Sequence, residues 1–246
     1  MTVHDLPPPP APAELSADGP VAIFLDFDGT LVDIAPTPDS IQVPGDMATR
    51  LAALAARYDG RVALISGRAI SDLERHLGPV TIACAGSHGS DCRSADGQPI
   101  GDTPDGLPDE VLREIADFAA ANEVVREDKP HGAALHFRAN PALEDKGVAF
   151  AKELAARHDL EVKRGKRVIE LVARGDGKAG AVRAFMQTPQ FAGARPIFVG
   201  DDVTDEDGMR AAVELGGFGV AVGERPSENA KYALARPAAV HHWLEL

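Results

Sequence analysis

Near-continuous apolar runs alternate with stretches of helical spacing at both ends of the chain. "VAIFLDF" (21–27), "RVALIS" (61–66) and "VTIACAG" (80–86) are such runs, and "RPIFVG" (195–200) and "GFGVAVG" (217–223) repeat the pattern near the other end. Helical patterns lie between them. "DMATRLAALAARY" (46–58) puts Met47, Leu51, Leu54 and Ala55 on one face, and "ISDLERHL" (70–77) and "TDEDGMRAAVEL" (204–215) follow the same period. Strands that are apolar at every position and separated by helices predict a parallel sheet covered on both faces.

The middle of the chain has a different pattern. "LPDEVLREIADFAAAN" (107–122) and "ALEDKGVAFAKELAARH" (142–158) predict helices, and "AALHFRA" (133–139) alternates like a half-exposed strand. "LEVKRG" (160–165) and "KRVIELVA" (166–173) predict a hairpin turning at Gly165. These elements suggest an open-faced α+β unit, residues 104–174, inserted in a parallel domain made of 20–103 and 175–246. Residues 1–19, rich in Pro and Ala, are expected to form a disordered or extended leader dispensable for chemistry.

Composition narrows the partners. A formal net charge of −13 argues against nucleic acid, whose phosphates reward Lys and Arg, and against anionic membrane surfaces. It leaves room for a small anionic substrate, because a local basic cluster works inside an acidic protein. No apolar run approaches the ~20 residues needed to span a bilayer. The first residues lack a basic region followed by an apolar one, so Cys84 and Cys92 are expected to be reduced thiols in a cytoplasmic protein.

Four stretches carry candidate chemistry. Asp26 and Asp28 in "DFDGT" lie where the first predicted strand ends, and open parallel sheets bind ligands beyond the carboxyl ends of their strands. Two carboxylates so close repel each other unless a cation lies between them or one holds a proton, and Mg²⁺ suits hard oxygen ligands. "GDDVTDED" (200–207) again places acids at a strand end, so Asp201, Asp202 and Asp205 are candidates to complete a metal site. Helix capping is an additional role there, with Thr204 and Asp207 spaced like a capping box. Ser66, Gly67 and Arg68 have the makeup of an anion cradle at a helix start. Lys178 falls near the start of a helix, where its charge opposes the dipole, so contact with a phosphate and an anionic nucleophile would account for it. Together these groups fit phosphoryl transfer, which needs positioning and charge stabilisation, with a carboxylate as nucleophile.

The ordered series DxDGT, Ser, Lys, GDDxxD resembles the haloacid-dehalogenase superfamily. "DFDGTLVDIAPTPDSIQVP", "LISGR", "AGSHG", "KPHGAALHFR", "GKRVIEL" and "VGDDVTDED" narrow the resemblance to the trehalose-6-phosphate phosphatase family, over about residues 21–245. Ser87 precedes His88 where that family usually has an acid, and Ala179 follows Lys178 where it usually has glycine. The resemblance implies an α/β fold, a Rossmann-like parallel-sheet core with an inserted α+β substrate cap. It implies Asp26 as nucleophile, Asp28 as acid and then base, and Asp201 with both aspartates on Mg²⁺, Asp28 through its carbonyl. Asp202 or Asp205 would support that site, and Ser66 and Lys178 would neutralise phosphoryl oxygens.

In the cap, Lys129, His136, Arg138, Lys166 and Glu170 are the candidates for binding sugar hydroxyls, with Gly67, Arg68 and His88 in the core. Lys163, Arg164 and Arg167 are expected to be solvated turn residues, and His241 and His242 surface or packing residues. The implied activity is Mg²⁺-dependent hydrolysis of trehalose 6-phosphate by a protein for which a monomer is plausible. Another sugar phosphate, such as sucrose 6-phosphate, and a non-catalytic sugar-phosphate-binding domain are the alternatives. The presence of Asp26, Asp28, Ser66, Lys178 and Asp201 together speaks against the last.

Overall fold

The computed structural model describes residues 6–35, 37–101, 106–129, 132–165, 167–173 and 177–246. In chain order its elements are α1 (Pro12–Ala17), β1 (Val21–Leu25), α2 (Met47–Arg57), β2 (Val62–Ile65), α3 (Ile70–Leu77), β3 (Ala83–Gly86), β4 (Asp91–Arg93), α4 (Asp109–Ala121), β5 (Val125–Lys129) and β6 (Gly132–His136). Then follow α5 (Glu144–His158), β7 (Leu160–Gly165), β8 (Val168–Ala173), α6 (Gly177–Gln187), β9 (Arg195–Gly200), α7 (Asp205–Glu214), β10 (Phe218–Val222), β11 (Ala230–Leu234) and α8 (Pro237–Leu244). They fall into two compact units, Met1–Thr103 with Asp176–Leu246, and Pro104–Gly175.

The first unit is an α/β domain around a seven-stranded sheet of order β11-β10-β9-β1-β2-β3-β4. Every neighbouring pair is parallel except β3 with β4. β1 is buried along its whole length because helices cover both faces. Ile23 and Leu25 belong to one core with Met47, Leu51 and Leu54 of α2 and Leu73 of α3. Ala22 and Phe24 belong to the other, with Ala181, Val182 and Phe185 of α6 and Met209 of α7. The Phe24 ring packs 6.0 Å from Phe185 and 5.7 Å from Phe191, which anchors α6 under β1. Cys84 lies in the first core and Cys92 in the second, so the two thiols point to opposite faces of the sheet. Burial pushes them up to about 11 and about 12.

The expected disordered leader is corrected for residues 6–19; residues 1–5 lie outside the described residues. Helix α1 buries Leu15 in the first core. The Pro-rich stretch before it also has partners. Its free carbonyls accept from Trp243 Nε1 at Pro10 (2.8 Å) and from the Ala233 amide at Pro7 (3.0 Å). Proline removes donors from a segment but leaves its acceptors available, and composition alone does not reveal whether they are used. His241 and Trp243 are packing residues of α8, His241 Nε2 donating to the Leu31 carbonyl at 2.7 Å. No helix among the described residues is long and apolar enough to cross a membrane.

The second unit is an antiparallel sheet of order β5-β6-β8-β7. Val111, Ile115 and Ala119 of α4 and Ala151 and Leu154 of α5 pack on Ala133, Leu135, Ile169 and Leu171. β6 is not half-exposed as its alternation predicts, since Gly132 to Leu135 are all buried. Ala134 pairs with Glu127 on one side and Glu170 on the other, and these longer side chains stand on its face. Between β7 and β8, Gly165 pairs with Val168. Arg167 donates to Glu144 of α5 at 2.6 Å, and Arg164 approaches the same carboxylate at 3.8 Å.

Replacing Phe185 by Ala is expected to lower unfolding stability by about 3–5 kcal/mol, the usual cost of emptying a fully buried aromatic site. Denaturant unfolding measures this, and a loss under ~1 kcal/mol would contradict the packing described.

Candidate active site

Strand ends and helix starts of the first unit present the charged groups. Asp26 follows β1, Ser66 follows β2 and Asp201 follows β9, while Lys178 and Asp205 stand in the first turns of α6 and α7. Leu25 is in register with Leu64 on one side and Val199 on the other, and the Asp26 amide donates to the Val199 carbonyl at 2.9 Å. Beyond Asp26 the chain turns tightly. The Leu31 and Val32 amides donate to the Phe27 carbonyl (2.9 and 3.1 Å), and the Gly29 amide donates to the Val32 carbonyl (2.7 Å). Gly29 has φ +82°, and a Cβ there would fall 2.1 Å from Asp201 Oδ2. Only glycine lets this turn lie against that carboxylate. Buried Thr30 donates to Asp201 Oδ1 at 3.4 Å.

Lys178, 3% exposed, donates to Asp26 Oδ1 at 2.6 Å and to Asp205 Oδ1 at 2.5 Å. Carboxylate oxygens of Asp26, Asp201 and Asp205 come within 4.8 Å of one another. Burial pushes the Asp26 carboxyl well above the carboxylate range. Lys178 pulls it back, and Asp205 and Asp201 push it further up. Burial, then Asp205 and Asp202, raise Asp201 to about 6. Burial disfavours charge on Lys178 too, but Asp26 and Asp205 outweigh it and raise its pKa. Three carboxylates thus face one ammonium, and two of them hold protons more tightly than usual. This is the arrangement a hard divalent cation fits: oxygen donors, close together, with uncompensated negative charge.

The other expected site residues divide. Asp205 joins the cluster and its Oδ2 accepts the Asp201 and Asp202 amides at 3.0 and 2.8 Å. Asp202 turns away, accepting the Val203 amide at 2.7 Å. The capping box expected from Thr204 and Asp207 does not form. Thr204 is already helical and makes no side-chain cap bond, and Asp207 pairs with Arg210 at 2.8 Å. Asp205 takes over the capping of the loop amides.

Asp28 is held in a two-pronged ion pair by Arg68, Nε to Oδ2 at 2.6 Å and Nη2 to Oδ1 at 2.7 Å. Arg68 also donates to Asp72 at 2.7 Å, so the residue expected on substrate is engaged with two carboxylates. Buried Ser66 accepts the Arg68 amide at 3.1 Å. A Cβ on Gly67 would fall 2.6 Å from the His88 ring, so glycine allows His88 to pack over this turn. Ser87 and His88 both have positive φ, 50° and 59°, backbone strain of the kind that concentrates at functional sites.

In the second unit, His136 hydrogen-bonds Glu127 at 2.8 Å. The strand pairing places His136 and Glu170 on one face of the sheet. Arg138 is exposed just past β6. Lys166 and the side chain of Lys129 lie outside the described residues. One residue near the cluster was not foreseen: Arg225, in the turn after β10, donates to the Asp201 carbonyl at 3.0 Å. Its only signal in the sequence is its position just past a strand end.

A mostly parallel sheet with acids at its strand ends is a fold shared with the haloacid-dehalogenase class of hydrolases. A haloacid dehalogenase-like hydrolase from Bacteroides thetaiotaomicron superposes with TM-score 0.69 at 18% identity, over 92% of this chain and 98% of that one. The C-terminal domain of C. albicans trehalose-6-phosphate phosphatase gives TM-score 0.69 at 22% identity, over 97% and 96%. The trehalose-phosphatase family profile matches residues 24–238, and the chain belongs to that family of phosphoric monoester hydrolases. Trehalose-6-phosphate phosphatase of Escherichia coli (strain K12) is 36% identical over 239 residues, 95% of this chain and 88% of the relative. A probable trehalose-phosphate phosphatase of Sinorhizobium fredii is 36% identical over 208 residues, 82% of this chain and 77% of the relative.

Replacing Lys178 by Met leaves Asp26 and Asp205 buried without their cation, and is expected to cost about 3–5 kcal/mol of stability. Asp205→Asn in the Lys178→Met background should recover part of that loss in denaturant unfolding; a single variant as stable as the parent would contradict the buried pairing.

Proposed function

We propose that the chain hydrolyses trehalose 6-phosphate to trehalose and inorganic phosphate, with Asp26 as nucleophile and Mg²⁺ as cofactor. The observation that carries this is the cluster at the end of β1, where Asp26 meets Lys178 with Asp201 and Asp205 alongside. Asp26 Oδ1 is bonded to Lys178, which leaves Oδ2 to attack phosphorus. A bond forms from Oδ2 to phosphorus as the bond from phosphorus to the sugar oxygen breaks. Asp28, entering this step as the protonated acid, gives its proton to that departing oxygen. It then takes a proton from a water whose oxygen attacks phosphorus, and the bond to Asp26 breaks, releasing phosphate and restoring the Asp26 carboxylate and the protonated Asp28.

Asp28 can transfer a proton only once its carboxylate leaves Arg68, so Arg68 sets when the acid is available. Lys178 has three donors and uses two on Asp26 and Asp205, keeping one for a phosphoryl oxygen. Ser66, at the end of the neighbouring strand β2, would serve the same oxygens. Asp26, Asp201 and the Asp28 carbonyl would hold the Mg²⁺. When bound, it supplies positive charge that stabilises the phosphoryl oxygens. Asp205 supports Asp201 by fixing its backbone.

Specificity belongs to the second unit, proposed as a substrate cap. A disaccharide phosphate is mostly hydroxyls, and directional polar groups reject analogues better than an apolar pocket does. His136 and Glu170 offer such groups on one sheet face, and Lys129, Arg138 and Lys166 are their proposed companions, with Gly67, Arg68 and His88 in the core. The curated relatives support trehalose phosphate over other sugar phosphates.

Asp26→Asn is expected to abolish phosphate release from trehalose 6-phosphate while leaving the circular dichroism spectrum unchanged. Substantial turnover by that variant would overturn the nucleophile assignment. A parent enzyme that prefers sucrose 6-phosphate in a sugar-phosphate panel would overturn the substrate.

A further inference from the structure

Arg225 stands outside the catalytic inventory, yet its contacts are among the densest near the cluster. It lies in the turn after β10, whose Ala221 is in register with Gly200 at the end of β9. Its Nε donates to the Asp201 carbonyl at 3.0 Å, and its Nη2 to the Asp202 carbonyl at 2.9 Å. The same Nη2 meets Glu206 Oε1 at 2.8 Å, and Nη1 donates to the Pro226 carbonyl at 2.8 Å. Glu206 is itself held. Its Oε2 accepts the Glu228 amide (3.2 Å), the Asn229 amide (3.2 Å) and Asn229 Nδ2 (2.9 Å). The guanidinium is thus fixed by α7 and by its own turn before it touches the 201–202 segment.

Residues 201 and 202 are therefore gripped on both sides. Their amides donate to Asp205 Oδ2, and their carbonyls accept from Arg225. Two successive residues whose amides and carbonyls are all engaged cannot rotate freely, and the direction of the Asp201 side chain follows from them. A planar fork suits this task, since its donors span two adjacent carbonyls at a set angle, which a lysine's single ammonium cannot do. Arg225 reaches the site only through backbone atoms. Helix capping does not explain it, and Glu206, which its place in the first turn of α7 would assign to the dipole, spends its carboxylate on Arg225 and Asn229.

We infer that Arg225, locked by Glu206 and Asn229, is a positioning residue that holds Asp201 in the orientation needed to bind the divalent cation. Its role rests on the cation site at Asp26 and Asp201 proposed above.

The test is Mg²⁺ binding to the full chain by isothermal titration calorimetry without substrate, beside thermal unfolding and steady-state kinetics. Arg225→Gln is expected to weaken Mg²⁺ binding by roughly 10–100-fold, the usual effect of removing a group that orients a ligand. At saturating Mg²⁺ its KM for trehalose 6-phosphate should match the parent's. Arg225→Lys, which keeps the charge and reaches one carbonyl, should lose less. Glu206→Gln, which leaves Arg225 in place but frees it, should weaken binding in the same direction and serves if Arg225→Gln does not fold. Variants that melt earlier yet bind Mg²⁺ as tightly as the parent would overturn the inference, leaving Arg225 a structural residue only. A parent chain that binds no Mg²⁺ would overturn the cation site itself, and this role with it.

Discussion

One buried ammonium ties the structure together. Lys178 is nearly out of contact with solvent, and withdrawing such a charge from water costs several kcal/mol unless close partners offset it. Its partners come from two other elements, Asp26 from the end of β1 and Asp205 from the start of α7. The position near the start of α6 is unfavourable for a cation, and the two carboxylates outweigh the helix dipole there. Asp205 in turn occupies a helix start that suits an anion and uses its second oxygen to fix the amides of Asp201 and Asp202. A single residue thus sets the relative positions of Asp26, Asp205 and, through Asp205, the Asp201 backbone, along with two helices.

The parallel sheet makes this convergence possible. Its strands end together on one edge, and the first turn of each following segment delivers a side chain to that edge. Close approach needs absent side chains. A Cβ on Gly200 would fall 2.3 Å from Asp205 Cγ, and one on Gly208 would fall 2.3 Å from the Phe198 ring. Together with Gly29, these glycines let the β1 turn, the end of β9 and the start of α7 meet at contact distance. Aromatic packing of Phe24 against Phe185 and Phe191 holds α6 so that Lys178 reaches Asp26.

Much of this was legible in the sequence, because the residues at issue follow apolar runs whose ends are easy to place. Asp26, Ser66 and Asp201 were placed at strand ends that way, as were the faces of α2 and the span of α3, whereas Lys178 stood out by a charge that opposes the dipole at a helix start. The choice between Asp202 and Asp205 was not legible, since it depends on where α7 starts and which carboxylate turns back on the loop. The N-terminal segment was misjudged because Pro and Ala signal disorder, whereas here Leu15 and the carbonyls of Pro7 and Pro10 tie it down. β6 was misjudged because small residues gain shelter from long neighbours in adjacent strands, which no single segment reveals. Strands β4, β5 and β11 escaped notice because they are short or polar, and Arg225 because no periodicity marks a turn.

The cluster around Asp26 carries excess negative charge that a divalent cation would complete. The direct measurement is the unfolding midpoint of the full chain as Mg²⁺ is raised, at pH 8 and at pH 5. A ligand bound only by the folded state at 100 times its Kd adds about 2.7 kcal/mol. With Asp201 raised to about 6, that carboxylate is ionised at pH 8 and mostly protonated at pH 5. The midpoint should therefore rise with Mg²⁺ at pH 8, rise less at pH 5, and stay flat in Asp201→Asn at pH 8. A midpoint independent of Mg²⁺ at pH 8, or an equal rise in Asp201→Asn, would show that no divalent cation completes this cluster.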